Sequence, residues 1–332
     1  MEAMIAIIGC GRIAKRHAEE AKKYGRLIAV CDIVAEKAAS LAAEYRLNAY
    51  SSLTEMIEKE PLINMLAVCT PNGLHAEQTI AGLKAGKHVL CEKPMCLSVE
   101  DGRKMIDAVA GKRLFIVKSA RYNPLLIQLN NMIREGQLGK IFSFQLNCSW
   151  NRPAAYYHDG WRGTLAMDGG TLYTQFSHYI DILLWLLGDW RQMKGFRKNL
   201  YHSGVIEFED TGVISIEMEN GSIGSIHYSV NAINKNHEIA LSILAEKGTV
   251  KLGGEYLNKV IYQEPVIFKE TGPASNDAND YGFYRGSMSN HDKVYEQAIR
   301  ALNGQDHHVT DGAEALRTVA FIEEFYKNTP VT

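Results

Sequence analysis

The sequence predicts an α/β protein of two domains, a doubly wound parallel sheet at the N-terminus and then an α+β domain on a mostly antiparallel sheet. Three observations predict it. Residues 1–120 alternate short β-rich runs with helical patterns, which implies βαβ units. From about Arg121 the pattern becomes period-two alternation broken by Asn-Gly, Lys-Gly and Gly-Gly turns, which indicates hairpins. A length of 332 residues is long for one domain and short for three, so the boundaries are expected at 1–120 and 121–332.

In order, the first half reads strand "MIAIIGC", helix "RIAKRHAEEAKKYG", strand "LIAVCD", helix "AEKAASLAAEY", strand "LINMLAVCT", helix "LHAEQTIAGLKAG" and strand "HVLCE". A further helix to Val109 and the strand "LFIVKS" close it. The second half reads as strands in "KIFSFQLNCSW", "GVIEFEDTGVISIEMENGSIGSIHYSV", "EIALSILAEKGTVKLGG" and "KVIYQE", with helices expected over 171–187 and near 290–302. The polar, strand-poor stretch from Glu270 to Gly282 is expected to be a mobile surface loop.

Composition bounds the function. Hydrophobic residues make up 46% and charged residues 22%, which excludes a disordered or fibrous chain. The net charge of −2, with no run of Lys and Arg, argues against nucleic acid or an anionic membrane surface as partner. Met1 to Cys10 lacks the basic start and cleavage site of a secretory leader, and the longest apolar run, Ile180 to Leu187, is too short to span a bilayer. All six cysteines fall in the first half without a CxxC pair, which fits a reducing cytoplasm. No metal is expected, since His307 and His308 have no Cys or carboxylate at ligand spacing.

The chemistry begins at "IAIIGCGRIAKRHAEEA", a GxGxxA pattern between a strand and a helix. Gly9 permits a tight turn, Gly11 lets a pyrophosphate approach the backbone, and Ala14 allows close helix packing, with Arg12 and Ile13 beside the helix N-terminus. The next strand ends in Asp32, about 20 residues past Gly11, where an acid accepts hydrogen bonds from both adenosine ribose hydroxyls. A carboxylate there repels a 2′-phosphate, so NAD(H) is preferred to NADP(H). The pattern is that of a Rossmann domain. Loops at the carboxyl ends of parallel strands hold the ligand in such a sheet, which places Thr70, Asn72 and His75, then Glu92 and Lys93, beside the cofactor. A lysine fixed there between Glu92 and Pro94 can relay the proton of a substrate alcohol. Arg121, Tyr122, Asn123, Asn151 and the stretch Ser287 to Asn290 are candidates for a substrate's polar groups.

"GCGRIAKRH", "TPNGLHAEQTIAGLKAGKHVLCEKPM" and "DGGTLYTQFSHYIDILLWLLGD" resemble the Gfo/Idh/MocA oxidoreductase family over most of the chain. The resemblance implies an N-terminal Rossmann domain and a C-terminal open-faced sheet, whose exposed face pairs subunits into dimers or a homotetramer. It implies sugar, polyol or nucleotide-sugar substrates. It also carries over Trp161 and Arg162 as NAD neighbours, and Lys93 with His178 as the acid/base set.

At 100° per residue, Thr171, Thr174, Gln175, His178 and Asp181 share one polar arc, expected to face the nicotinamide cleft. Many family members carry an Asp four residues before the His. This chain has Thr174 there, which removes that acid, and Asp168 is expected to cap the helix instead. Thr174 and Gln175 together with "WNRPAAYYHDGWRGT" and "YRGSMSNHDKVYEQ" are similar to the branch that oxidises the 3-hydroxyl of UDP-2-acetamido-2-deoxy-D-glucuronate for surface-polysaccharide synthesis. In that branch 2-oxoglutarate can reoxidise held NADH. The alternatives are another sugar or cyclitol dehydrogenase of the family, and a non-catalytic nicotinamide-sensing protein.

Overall fold

The computed structural model describes residues 2–158, 160–266, 268, 278–280 and 285–331, except the side chains of 278–280 and 287. Most of the segment expected to be a mobile loop therefore lies outside the described residues. The chain divides into two units, 1–118 with 291–319 and 119–290 with 320–332.

In the first unit, β1 (Met4–Ile8), β2 (Arg26–Cys31), β3 (Asn48–Tyr50), β4 (Met65–Val68), β5 (His88–Cys91) and β6 (Leu114–Ile116) form one parallel sheet in the order β3-β2-β1-β4-β5-β6. The helices α1 (Ala14–Tyr24), α2 (Ala35–Tyr45), α3 (Leu53–Lys59), α4 (His75–Lys84) and α5 (Val99–Asp107) connect the strands. A parallel sheet covered on both faces needs continuous apolar strands, and every residue of β4 is buried. Helix starts are marked by side chains where the chain needs them. Ser52 accepts from Glu55 N and Ser98 from Asp101 N, while no side chain caps α1. Buried Ala14, His17, Ala18, Glu20 and Ala21 form the inner side of α1, with His17 and Glu20 its polar exceptions.

In the second unit, α6 (Pro124–Arg134), β7 (Ile141–Ser149), α7 (Ser177–Leu187), β8 (Trp190–Lys198), β9 (Thr211–Met218), β10 (Ile223–Ser229), β11 (Glu238–Ala245), β12 (Gly248–Gly253) and β13 (Lys259–Glu264) follow. Their seven-stranded sheet has the order β13-β12-β11-β7-β10-β9-β8 and is antiparallel except where β10 meets β7. The Asn-Gly turn before β10 uses the positive φ of Gly221 (83°). One face buries Phe144, Leu146, Ile214, Ile216, Leu241 and Ile243. The other leaves Phe196, Val213 and Ile223 exposed.

Three features differ from the sequence expectation. Leu172–Phe176 is a π-helical turn ahead of α7, so the polar residues there do not keep a 100° spacing. The edge strand β8 carries only two buried residues, Met193 and Arg197, too few to give an apolar signal. The short strands β14 (Ala278–Asp280) and β15 (Arg285–Met288) precede α8 (His291–Leu302) and α9 (Gly312–Asn328). Residues 291–319 belong with the first unit although they follow the second in the chain, because Tyr295 and His291 bond inward to His17 and Glu92.

Candidate active site

The turn after β1 is built around Gly9. Its φ is 87°, and a Cβ there would stand 2.7 Å from Thr70 Cγ2 and 2.8 Å from the Cys69 backbone. A Cβ at Gly11, by contrast, would meet nothing within 4 Å, so the backbone is open on that side. The Asp32 carboxylate is oriented by Cys10 N (2.7 Å) and Val34 N (2.8 Å), one on each oxygen. Each oxygen keeps a further lone pair for a ribose hydroxyl. Burial, followed by the Asp32 charge, pushes the Cys10 thiol up to about 12, so Cys10 offers no thiolate at neutral pH. Arg12 is exposed and Ile13 half-buried.

At the ends of β4 and β5 the residues expected to touch cofactor are largely committed to each other. Thr70 Oγ1 donates to Gln78 Oε1 at 2.6 Å, and Asn72 is buried. His75 is only 1% exposed, with Nδ1 2.7 Å from Pro94 O and Nε2 2.9 Å from Thr70 O. It braces two turns at this edge of the sheet. Glu92 is likewise internal. Its Oε1 accepts from His17 Nε2 and His291 Nε2, both at 3.0 Å, and its Oε2 accepts from Lys93 N at 3.0 Å.

A His-Glu-His set can bind a divalent cation, but here both Nε2 atoms stand at hydrogen-bond distance from one oxygen, as N–H donors do. His17 Nδ1 faces the Tyr295 hydroxyl at 2.9 Å and completes the ring's bonding. Although burial opposes it, His17 and His291 hold the Glu92 carboxyl well below the usual carboxylate range. Burial lowers His17, which fits a neutral ring donating from Nε2 and accepting at Nδ1. The half-buried Lys93 is therefore bracketed, with Glu92 fixed on one side and the Pro94 carbonyl on the other.

In the second unit the polar arc does not present one surface. Thr171 Oγ1 donates to Glu209 O. Gln175 accepts from Arg152 Nε at 2.7 Å and donates to Tyr156 Oη at 2.9 Å. Asp181 takes Arg121 Nε at 2.7 Å and Nη2 at 2.9 Å. Asp168 does not cap the helix. Its carboxylate accepts from Gly163 N at 2.8 Å and from the Thr174 hydroxyl, so the helix keeps an acid beside position 174 despite the Thr. His178 is buried at 4% exposure. The Arg162 guanidinium lies 4.7 Å from the Tyr156 ring and 4.5 Å from the Trp161 ring, which holds the "WRG" segment against Tyr156.

Several expected substrate residues have internal roles instead. Arg121 is spent on Asp181, Asn123 caps α6 through Leu125 N and donates to Leu257 O, Asn151 donates to Ala232 O, and Asn290 donates to Ser119 O. Each is a buried or half-buried polar group satisfied by nearby backbone or charge, the ordinary requirement of an interior. Tyr122 is half-buried in the turn Ser119–Tyr122, and the Ser287 side chain lies outside the described residues. Sequence reasoning missed Arg152, which is 2% exposed, stacks 4.7 Å from Trp150 and bonds Gln175 and Asn236. It also missed His17 and His291 behind Glu92. A histidine on the apolar stripe of α1 was the available signal.

Two family models match the chain: the oxidoreductase family with NAD-binding Rossmann fold over residues 3–118, and the GFO/IDH/MocA C-terminal domain over 126–251. The chain belongs to the Gfo/Idh/MocA oxidoreductase family. Within it, the WlbA dehydrogenase of Bordetella pertussis, solved with NADH and UDP-GlcNAcA, is 33% identical, with 99% of this chain and 96% of that one covered and a TM-score of 0.87. The WlbA dehydrogenase of Chromobacterium violaceum, solved with the same ligands, is also 33% identical, covering 98% and 93%, at 0.88. Levoglucosan dehydrogenase of Pseudarthrobacter phenanthrenivorans is 27% identical over 245 residues, which span 65% of this chain and 62% of that protein.

As a Gfo/Idh/MocA member the chain is an NAD-dependent oxidoreductase. Its first unit fits NAD, with open backbone at Gly11, an uncapped α1 N-terminus for the pyrophosphate and an oriented Asp32 for the ribose. Among the described residues, no helix is long and apolar enough to cross a membrane.

Proposed function

We propose that this protein is an NAD-dependent dehydrogenase of sugar alcohols that oxidises the 3-hydroxyl of UDP-2-acetamido-2-deoxy-D-glucuronate to the 3-keto sugar, in the cytoplasm. The observation that carries this reading is the likeness to two WlbA dehydrogenases, each solved with NADH and UDP-GlcNAcA, over nearly the whole chain. The Thr174-Gln175 pair in place of the family's acid supports the same branch. Levoglucosan dehydrogenase favours a free sugar as the second reading, at lower identity and over less of the chain.

When bound, the nicotinamide accepts the hydride from the sugar carbon. Lys93 and His178 are the acid/base set: one takes the hydroxyl proton while the other orients the oxygen and steadies its developing charge. Asp32 selects NAD over NADP by charge. The family's pairing through the exposed sheet face is carried over to this chain as a homo-oligomer, and 2-oxoglutarate as the acceptor that returns the cofactor to NAD.

The test is NADH absorbance after mixing the protein and NAD with UDP-2-acetamido-2-deoxy-D-glucuronate, with levoglucosan or with an inositol, each with and without 2-oxoglutarate. Reduction with the nucleotide sugar alone among the three supports the proposal. Reduction with levoglucosan or inositol, and none with the nucleotide sugar, replaces it with the second reading.

A further inference from the structure

Both ring nitrogens of His75 face backbone carbonyl oxygens, Nδ1 toward Pro94 at 2.7 Å and Nε2 toward Thr70 at 2.9 Å. A carbonyl oxygen can only accept, so each contact needs a proton on its nitrogen. A neutral imidazole has one N–H, and its bare nitrogen would set a lone pair against a carbonyl lone pair. The two contacts therefore coexist only in the imidazolium. The ring is 1% exposed, so water cannot substitute for either carbonyl. Burial is the strongest influence and sets the ring's pKa below the usual imidazole range, against the two carbonyls, which raise it. Of the titratable groups that bear on it, Glu92 raises it and Lys93 lowers it.

We propose that His75 is a positioning residue that works as a doubly protonated clamp, tying the turn after β4 to the Lys93–Pro94 turn after β5. Its consequence falls on Lys93. Glu92, the residue before Lys93, is held by His17 from α1 and His291 from α8, and the Pro94 carbonyl after it is held by His75 from α4. Three buried rings from three helices thus fix the backbone on both sides of the lysine. Two of them bind a carboxylate and need no second proton. The third binds two carbonyls and does, so it alone loosens as pH rises. Losing that proton releases either Thr70 or Pro94, and both lie on the cofactor edge of the sheet.

This inference rests on the reading of these turns as the NAD edge, and two measurements separate the claims. The first is ¹⁵N NMR of the histidine-labelled full chain from about pH 4 to about pH 8, a range extended below that of a free imidazole because burial lowers this ring. Both His75 nitrogens are expected in the protonated range at the acid end, with one losing its proton as pH rises. The second is NADH affinity across the same range, expected to weaken through the same transition. His75→Gln, whose N–H donors sit on one nitrogen and reach one of the two carbonyls, is expected to lose that pH dependence and to bind NADH about tenfold more weakly, the scale of one net hydrogen bond.

One nitrogen unprotonated throughout the range would overturn the clamp, as would an unchanged pH dependence in the variant. Failure of the catalytic reading shows elsewhere: Lys93→Ala would then keep its turnover, while the two-nitrogen signature of His75 would be unaffected.

Discussion

Lys93 sits on a turn whose two neighbours are immobilised, the fixed position that a general acid/base needs and a surface lysine lacks. Lys93→Ala is expected to lower kcat by about 100- to 10,000-fold, the range for general acid/base groups, with NADH affinity close to that of the parent chain. Stopped-flow turnover with separate NADH titration checks both. Asp32 carries the second residue-scale prediction. Asp32→Ser removes the ribose acceptor and the repulsion of a 2′-phosphate together, so the ratio of NAD to NADP affinity is expected to fall by about tenfold or more. Fluorescence titration of the two cofactors reads it directly, and an unchanged ratio would sever Asp32 from cofactor choice.

The turn glycines, Asp32 and the strand-end loops were legible in the sequence because their geometry is local and their spacing is fixed by one βαβ unit. The shell behind Glu92 was not. His17 and His291 stand 75 and 199 residues from it, and no local pattern announces a meeting of that separation.

At the scale of elements, the helix ending in α7 is the informative case. Regular spacing puts Thr171, Thr174, Gln175, His178 and Asp181 on one arc, but the π turn at Leu172–Phe176 breaks that spacing. Thr171, Gln175 and Asp181 each bond a different partner inside the second unit. The pair Arg121–Asp181 is buried on both sides, at 8% and 2% exposure. Removing one partner leaves an uncompensated buried charge, so Arg121→Met is expected to cost about 3–5 kcal/mol in denaturant unfolding. Adding Asp181→Leu is expected to recover most of the loss, because the remaining charge is then gone too. A single variant as stable as the parent chain would show that the pair is dispensable to the fold.

For the whole molecule, the histidine–carboxylate shell ties stability to pH. Glu92 has a folded pKa below its unfolded value, so its contribution is complete above the ordinary carboxylate range and is lost as pH falls through the folded value. His17 is also lowered, so below about pH 6.5 the unfolded chain takes up its proton first and stability falls with pH. Both act in the same direction. Glu209, raised chiefly by burial, opposes them, so the two contributions are read by difference. The melting temperature of the parent chain minus that of His17→Gln is expected to shrink steadily as pH drops from about 6.5 toward about 4.5. A difference constant over that window would remove His17 from the linkage.

The same shell explains why residues 291–319 fold with the first unit. Chain order suggested a break near 120, but domain membership follows packing, and His291 and Tyr295 are bonded to the first unit's turn and helix.

The central claim is hydride transfer from sugar C3, and a single turnover with UDP-2-acetamido-2-deoxy-D-glucuronate deuterated at C3 tests it most directly. Reduced cofactor carrying the deuterium by mass spectrometry, together with a 3-keto sugar, is the predicted result. Reduced cofactor without deuterium would place the oxidation at another carbon, and no reduction by a protein that binds both ligands would contradict the dehydrogenase assignment for this sugar.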